Sequence, residues 1–187
     1  MTVEIDVVIG TEADVPAAQQ LIEGARQWLR ARSIDQWQDP IPDSTIVNDV
    51  QRGHFFVMRD HGEVIAIITV ADDDSDTWGA STGDAFYVHR LAIAQSYRGE
   101  NLGSSLLQWA GERAAAAGKA SVRLDCAADN SGLRHFYERQ GFVLRRDVAV
   151  MAPTGTRSLA VSLYEKLVQP EKAALLRQED ASPGASP

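Results

Sequence analysis

Polar and apolar residues alternate along Val3–Ile9, which predicts a first strand. The period then lengthens. Val15, Leu21, Ile22, Ala25, Trp28 and Leu29 recur at helical spacing, predicting a long helix from Asp14 to about Arg32 with Pro16 in its first turn. After a connector at Trp37–Pro42, Ser44–Gln51 reads as a short second helix that Gly53 ends in the C′ position. Two apolar runs, His54–Arg59 and Glu63–Ala71, flank Asp60, His61 and Gly62 and predict an antiparallel hairpin. Asp72–Gly83, with aspartates at 72, 73, 74 and 76, reads as a polar loop.

A fourth strand is expected from Asp84 to about Ala94, then a glycine-containing turn, then a helix from Leu102 to Ala117 stopped by Gly118. Leu102, Leu106, Ala110 and Ala114 form its apolar stripe, which Leu107 and Trp109 widen. Ser121–Cys126 reads as a strand, Ser131–Arg139 as a short helix, and Phe142–Ala152 and Ser158–Leu167 as two further strands. Early strands followed by strand–helix alternation make this a mixed α/β layer structure, not a bundle or a sandwich. The length of 187 residues suits one domain, expected over 1–168. Residues 169–187, rich in Ala, Ser, Pro and charge, read as a poorly ordered tail.

Composition narrows the classes. No apolar run approaches the ~20 residues of a membrane span, so no membrane partner is expected. The first residues lack the basic and apolar regions of a signal peptide, and the lone Cys126 cannot form an internal disulfide, so a cytoplasmic location is expected. A net charge of −8 without a Lys/Arg cluster argues against a nucleic-acid partner. The same charge serves solubility or attracts cations such as protonated amines. Four scattered histidines and Cys126 share no ligand spacing, so no metal is expected.

The turn Tyr97-Arg98-Gly99-Glu100-Asn101-Leu102-Gly103-Ser104 lies where a buried strand ends and an amphipathic helix begins. A helix N-terminus presents unpaired amides and partial positive charge, and glycines let that backbone approach an anion, so a pyrophosphate fits there with Arg98 at its edge. No Lys follows Gly103 as a Walker pattern requires, and the Rossmann glycine pattern is absent, which disfavours ATP and NAD. A glycine pair between strand and helix is also ordinary turn chemistry.

With its flanks, Leu91-Ala92-Ile93 before and Leu102-Gly103 after, this segment resembles motif A of the GCN5-related N-acetyltransferases (GNAT), whose turn is usually Arg-Gly-x-Gly-x-Gly. Asn130 and Phe136-Tyr137-Glu138-Arg139-Gln140-Gly141-Phe142 resemble motif B of the same family. Asn101 stands where the second glycine is usual, and Gln95 where a proline often precedes the turn. Asparagine tolerates positive φ and favours N-caps, so the turn is expected to survive. The resemblance implies a mostly antiparallel sheet of six to seven strands, splayed between the fourth and fifth, with about four helices. It implies acetyl-CoA as cosubstrate and no metal. The pyrophosphate is placed on the amides of Arg98, Gly99, Glu100, Asn101, Leu102, Gly103 and Ser104, the pantetheine arm along Leu91, Ala92 and Ile93, and motif B contributes Asn130, Phe136 and Tyr137.

The implied activity is acetyl transfer to a primary amine of a small molecule, with a protein or peptide acceptor, or a non-catalytic acyl-CoA sensor, as alternatives. Homodimers are common in the family, though no residue here demands one. The resemblance places Tyr137 beside the cofactor sulfur as general acid, and successive helical residues point ~100° apart, so Phe136 is expected in the core while Tyr137 faces the ligand. For the base, period-2 geometry sets Tyr87, His89, Leu91 and Ile93 on one strand face, and related enzymes carry basic groups at the positions of Tyr87 and His89. His54 or a water chain are the other options. A main-chain amide near Ala92 or Ile93 is expected to hold the oxyanion. Trp28 and Trp37 either wall the acceptor pocket or fill the core. The aspartates at 72, 73, 74 and 76 either contact a cationic substrate or form a solvated loop.

Overall fold

A computed structural model describes residues 6–152, 155 and 157–168 of the chain. Its strands are β1 (Val7–Ile9), β2 (Phe55–Asp60), β3 (Glu63–Ala71), β4 (Ala85–Ile93), β5 (Ser121–Ala127), β6 (Val143–Met151) and β7 (Ser158–Leu167). Its helices are α1 (Val15–Arg30), α2 (Asp43–Gln51), α3 (Ser75–Trp78), α4 (Leu102–Ala116) and α5 (Ser131–Arg139). The strands form one 7-stranded sheet in the order β1-β2-β3-β4-β5-β7-β6. Every neighbouring pair is antiparallel except β4 and β5, which are parallel and joined through α4.

Most elements fall where the hydrophobic pattern sets them. The β2–β3 hairpin closes on His61 and Gly62, both at positive φ (48° and 89°), the backbone of a two-residue type I′ turn. The first strand is described only over Val7–Ile9, and the rest of its expected span lies outside the described residues, as does the expected tail at 169–187. The loop expected over Asp72–Gly83 contains the one-turn helix α3, which brings the described helices to five where about four were expected. Four residues are too few to leave a periodic signal in the sequence.

The sheet divides the core. On one face Val15, Ala18 and Ile22 of α1 and Ile46 of α2 pack on Phe55, Val57, Ile67 and Ala92. On the other, Leu102, Leu106, Leu107, Ala110 and Ala114 of α4 cover Phe86, Val88, Val122, Leu124 and Cys126. Leu106 and Leu107 are 0% and 1% exposed, and burying such a side chain contributes roughly 1.5–3 kcal/mol. The α4 stripe read from the sequence is therefore the face that holds this helix across the β4–β5 crossover.

Regular alternation along β4 fails at one place. Thr69 pairs with His89 but Ile67 with Ala92, so β4 carries an extra residue there, and Arg90 sits at φ 48°. Tyr87 and His89 consequently stay on the α1–α2 side, while Leu91 and Ile93 pack against the α4 cluster with Phe86 and Val88. The expectation that Tyr87, His89, Leu91 and Ile93 share one face is corrected by this bulge. Arg90 is held in place by Asp49 of α2, which it binds through Nη2 and which also accepts from Thr69 Oγ1 at 3.1 Å.

Candidate active site

β4 and β5 pair only from Ala85↔Ser121 to Val88↔Leu124, although β4 runs on to Ile93 and β5 to Ala127. The bulge turns β4 away at that point, and the strands separate. Two cavities occupy the split. One, of about 430 Å³, is lined by Trp28 and Leu29 of α1, by Leu91, Ala92, Ile93 and Arg98, and by Asn130 and Phe136. The other, of about 340 Å³, is lined by Trp37 and Ile41 of the α1–α2 connector, by His89 and Arg90, and by Asp125, Phe136 and Tyr137. Gln36, Trp37, Leu91, Leu133 and Phe136 line both, so the cavities meet on a shared wall. At the wall of the second, Arg157 Nη1 reaches Asp35 Oδ2 at 2.7 Å, tying the β6–β7 hairpin to the α1–α2 connector.

The turn before α4 has the shape an anion needs. Gly99 takes φ 90° and Asn101 φ 59°, so asparagine supplies the left-handed backbone that glycine usually provides. Its expected role as a side-chain N-cap is not realised: only its carbonyl acts, accepting from Ser105 N at 3.1 Å. Helix geometry leaves the amides of Leu102, Gly103 and Ser104 without intrahelical acceptors. The amides of Arg98 and Glu100 are engaged by the carbonyls of Gln95 and Tyr97, so the expected run of donors narrows to Gly99, Asn101 and the first turn of α4. A Cβ on Gly103 would lie 3.2 Å from Phe136 Cζ, which couples this turn to the wall shared by the cavities. Arg98 stacks on Trp28 with Cζ 4.3 Å from the ring centroid, and Arg32 covers the same ring at 4.0 Å. Burial first, and the Arg32 charge second, lower the Arg98 guanidinium below its ordinary pKa, the condition an incoming anion relieves. Trp28 therefore belongs to the larger cavity and the cationic end of the split, whereas Trp37 faces both.

α5 aims the motif B residues. Asn130 caps it, accepting from Leu133 N at 3.1 Å through Oδ1 while Nδ2 donates to Gln36 Oε1 at 2.9 Å. Gly141 at φ 83° ends it and returns Phe142 beneath Tyr137, ring centroids 5.9 Å apart. The expected division between Phe136 and Tyr137 is reversed in degree. Phe136 is half-buried and lines both cavities, while Tyr137 is 7% exposed, belongs to the core cluster and faces only the smaller cavity. Burial above all, then the nearby Cys126 and Asp125, push the Tyr137 phenol above the ordinary tyrosine range.

Of the expected bases, only His89 lines a cavity. Tyr87 is 1% exposed and accepts from Arg123 Nη1 at 3.1 Å, away from both. His54 Nε2 faces Asp72 Oδ2 at 3.3 Å on the surface. Burial and then the Arg90 charge lower His89 to about 4, so at neutral pH its ring is uncharged, a hydrogen-bonding group but a weak base. Beside it stand carboxylates that sequence reasoning did not single out or left with the solvated loop. Asp125 of β5 and Asp74 at the start of α3 offer oxygens within 4.8 Å of each other and of a His89 ring nitrogen. Burial first, then like charge, raises both carboxyls to about 6. A carboxylate inside the central strand Val122–Cys126 was the signal available, since a side chain there is covered by the sheet's neighbours and is costly without a purpose. Cys126 is 2% exposed, and burial raises its thiol to about 12, as a packing residue's would be.

The sequence and the fold have counterparts in known proteins. The acetyltransferase (GNAT) family profile matches residues 20–142. The uncharacterized N-acetyltransferase YesJ of Bacillus subtilis (strain 168) is 31% identical over 137 residues, covering 69% of this chain and 76% of that protein. A GNAT-family acetyltransferase from Listeria monocytogenes superposes with a TM-score of 0.71 at 21% identity, over 88% of this chain and 95% of that one. The putative acetyltransferase yncA of Salmonella typhimurium, solved with its cofactor acetyl-CoA, gives 0.63 at 15% identity, over 97% and 99%. Among the described residues no helix is long and apolar enough to cross a membrane.

Proposed function

The chain belongs to the acetyltransferase (GNAT) family and is an N-acetyltransferase, and on that premise we propose that it moves the acetyl group of acetyl-CoA directly onto a primary amine of a small molecule, with both substrates bound at once. The observation that carries this reading is the pair of cavities sharing Gln36, Trp37, Leu91, Leu133 and Phe136. Direct attack requires donor and acceptor to meet at one wall, and a donor cavity opening beside Arg98 and an acceptor cavity ending at Tyr137 supply that meeting point.

The larger cavity fits coenzyme A. The amides of Gly99, Asn101, Leu102, Gly103 and Ser104 and the Arg98 guanidinium suit its diphosphate, and the edge of β4 beyond Val88, unpaired by β5, suits the amide-bearing arm as an added strand. Acetyl-CoA supplies an activated thioester carbonyl. The amide of Ala92 or Ile93 stabilises the oxyanion as the amine attacks, and Tyr137 donates a proton to the departing sulfur. Burial holds the Tyr137 phenol protonated, and sulfur leaving into the same dry cleft becomes more basic for the same reason. The acceptor cavity of about 340 Å³, with Arg157 in its wall held by Asp35, suits a compact molecule.

Thiol release from acetyl-CoA, measured against a panel of small amines and short peptides, tests the reading: small primary amines are expected to support turnover, and activity with peptides alone contradicts it. Arg98→Ala is expected to weaken acetyl-CoA binding roughly tenfold to a hundredfold, since a charge-assisted hydrogen bond contributes about 1.5–3 kcal/mol. Calorimetry checks this, and raised salt narrows the gap between variant and wild type.

A further inference from the structure

The acceptor cavity is apolar along much of its wall, where Trp37, Ile41, Val88, Leu91, Leu133 and Leu159 face inward. Its arginine charges are paired within the protein, Arg90 through Nη2 with Asp49 and Arg157 with Asp35, although Arg90 Nε is buried without an acceptor. Among the described residues no arginine or lysine pairs with the carboxylates of Asp74 and Asp125, which stand with His89, although Thr77 hydrogen-bonds Asp74. Asp74 Oδ2 is fully buried without a hydrogen-bond partner and lies 3.7 Å from His89 Nε2. Asp125 and His89 line the cavity with Asp74 behind them, and among the described residues no hydrogen bond offsets the burial of the Asp125 carboxyl.

We propose that His89 and Asp125 form a seat for the ammonium head of the acceptor, with the buried Asp74 carboxylate behind them adding negative charge, that Asp125 takes the proton from it, and that the acceptor is therefore a primary amine carried on a compact apolar body. The lining favours an organic cation, because carboxylates stand at one end of a cavity walled by Trp37, Ile41, Leu91, Leu133 and Leu159. An –NH3⁺ group donating three hydrogen bonds of about 2.8 Å in tetrahedral directions sets its acceptors about 4.6 Å apart. A tetrahedral zinc with ligands at about 2.1 Å sets them only about 3.4 Å apart. Here the atoms lie within 4.8 Å of one another and the Asp74–His89 pair, at 3.7 Å, falls between the two spacings, so the zinc control decides between the occupants. A neutral imidazole accepts a hydrogen bond, which a protonated one could not.

Raised carboxyls near 6 take a proton better than an ordinary aspartate, and the groups facing them are Asp73, Asp76, His89, Arg90, Cys126 and Tyr137. In the transfer, Asp125 removes one N–H proton and passes it to solvent. The freed lone pair forms the N–C bond, the C–S bond breaks with its electrons on sulfur, and the second proton lost by nitrogen balances the one Tyr137 gives to the thiolate.

The seat rests on the reading of this cavity as the acceptor site, and its test does not need turnover. Thermal unfolding of the full chain is followed in n-butylammonium chloride, in tetramethylammonium chloride of equal concentration and in micromolar zinc chloride, for wild type and Asp125→Asn. The expected result is a rise in Tm with n-butylammonium beyond that with tetramethylammonium, lost in Asp125→Asn, which keeps the shape of the side chain. Equal shifts with both cations, a shift unaffected by the substitution, or a response to zinc alone overturns the proposal. Acetyl-CoA titrated into the same samples separates the two readings: if it fails to bind while butylammonium still depends on Asp125, the transferase assignment falls and the ammonium seat stands.

Discussion

Tyr137→Phe is expected to lower kcat by about 10²-fold or more while leaving the acetyl-CoA dissociation constant unchanged. General acid catalysis by a positioned group contributes on the order of 10²–10⁴-fold. The loss falls on kcat because the hydroxyl acts only as the C–S bond breaks, after both substrates are bound. The substitution is a clean one. The contacts that position the ring, with Phe136 at 5.5 Å, Phe142 at 5.9 Å and Tyr164 at 6.1 Å between centroids, are all kept by phenylalanine. Steady-state kinetics across pH, with binding measured separately, checks it, and full turnover by Tyr137→Phe removes the residue from the mechanism.

Asp49→Ala is expected to cost about 3–5 kcal/mol of stability, the range for removing one partner of a buried ion pair. Asp49 is 7% exposed and is the partner of Arg90, whose Nε is itself buried without an acceptor. Without the carboxylate, a cation is left in the sheet and Thr69 loses its acceptor. For a chain of this size that corresponds to a fall of roughly 10 °C in Tm. The same pair holds the residue at φ 48° that bends β4 off β5, so the variant is also expected to bind acetyl-CoA more weakly than wild type at temperatures where both are folded. Denaturant unfolding and calorimetry together separate the two effects. A stability within about 1 kcal/mol of wild type would mean that the Arg90 charge is solvated, not paired.

What the sequence conveyed and what it withheld follow from the range of the interactions. α4 and α5 were readable because their signals are local: an apolar stripe ending at Gly118 in one, and Asn130 and Gly141 bounding the other. The turn from Arg98 to Ser104 was readable for the same reason, down to the left-handed backbone of Asn101. The bulge at Arg90 was not, since nothing in Val88–Ile93 marks it, and it depends on Asp49 from another element. That one shift moved Leu91 and Ile93 to the face opposite His89. Asp74 and Asp125 were missed as a group because they are far apart in sequence and come together only when β4 and β5 lie side by side under α3. Trp28 looked like an acceptor wall from its helix alone, and its placement with Arg98 and Arg32 required the fold.

Calorimetric titration of the folded chain with acetyl-CoA, with Arg98→Ala in parallel, tests the central claim most directly. One binding site in the wild type, weakened roughly tenfold or more in Arg98→Ala, is the predicted result. No heat with the wild type, or equal affinity in both proteins, would contradict the placement of the donor between β4 and the first turn of α4.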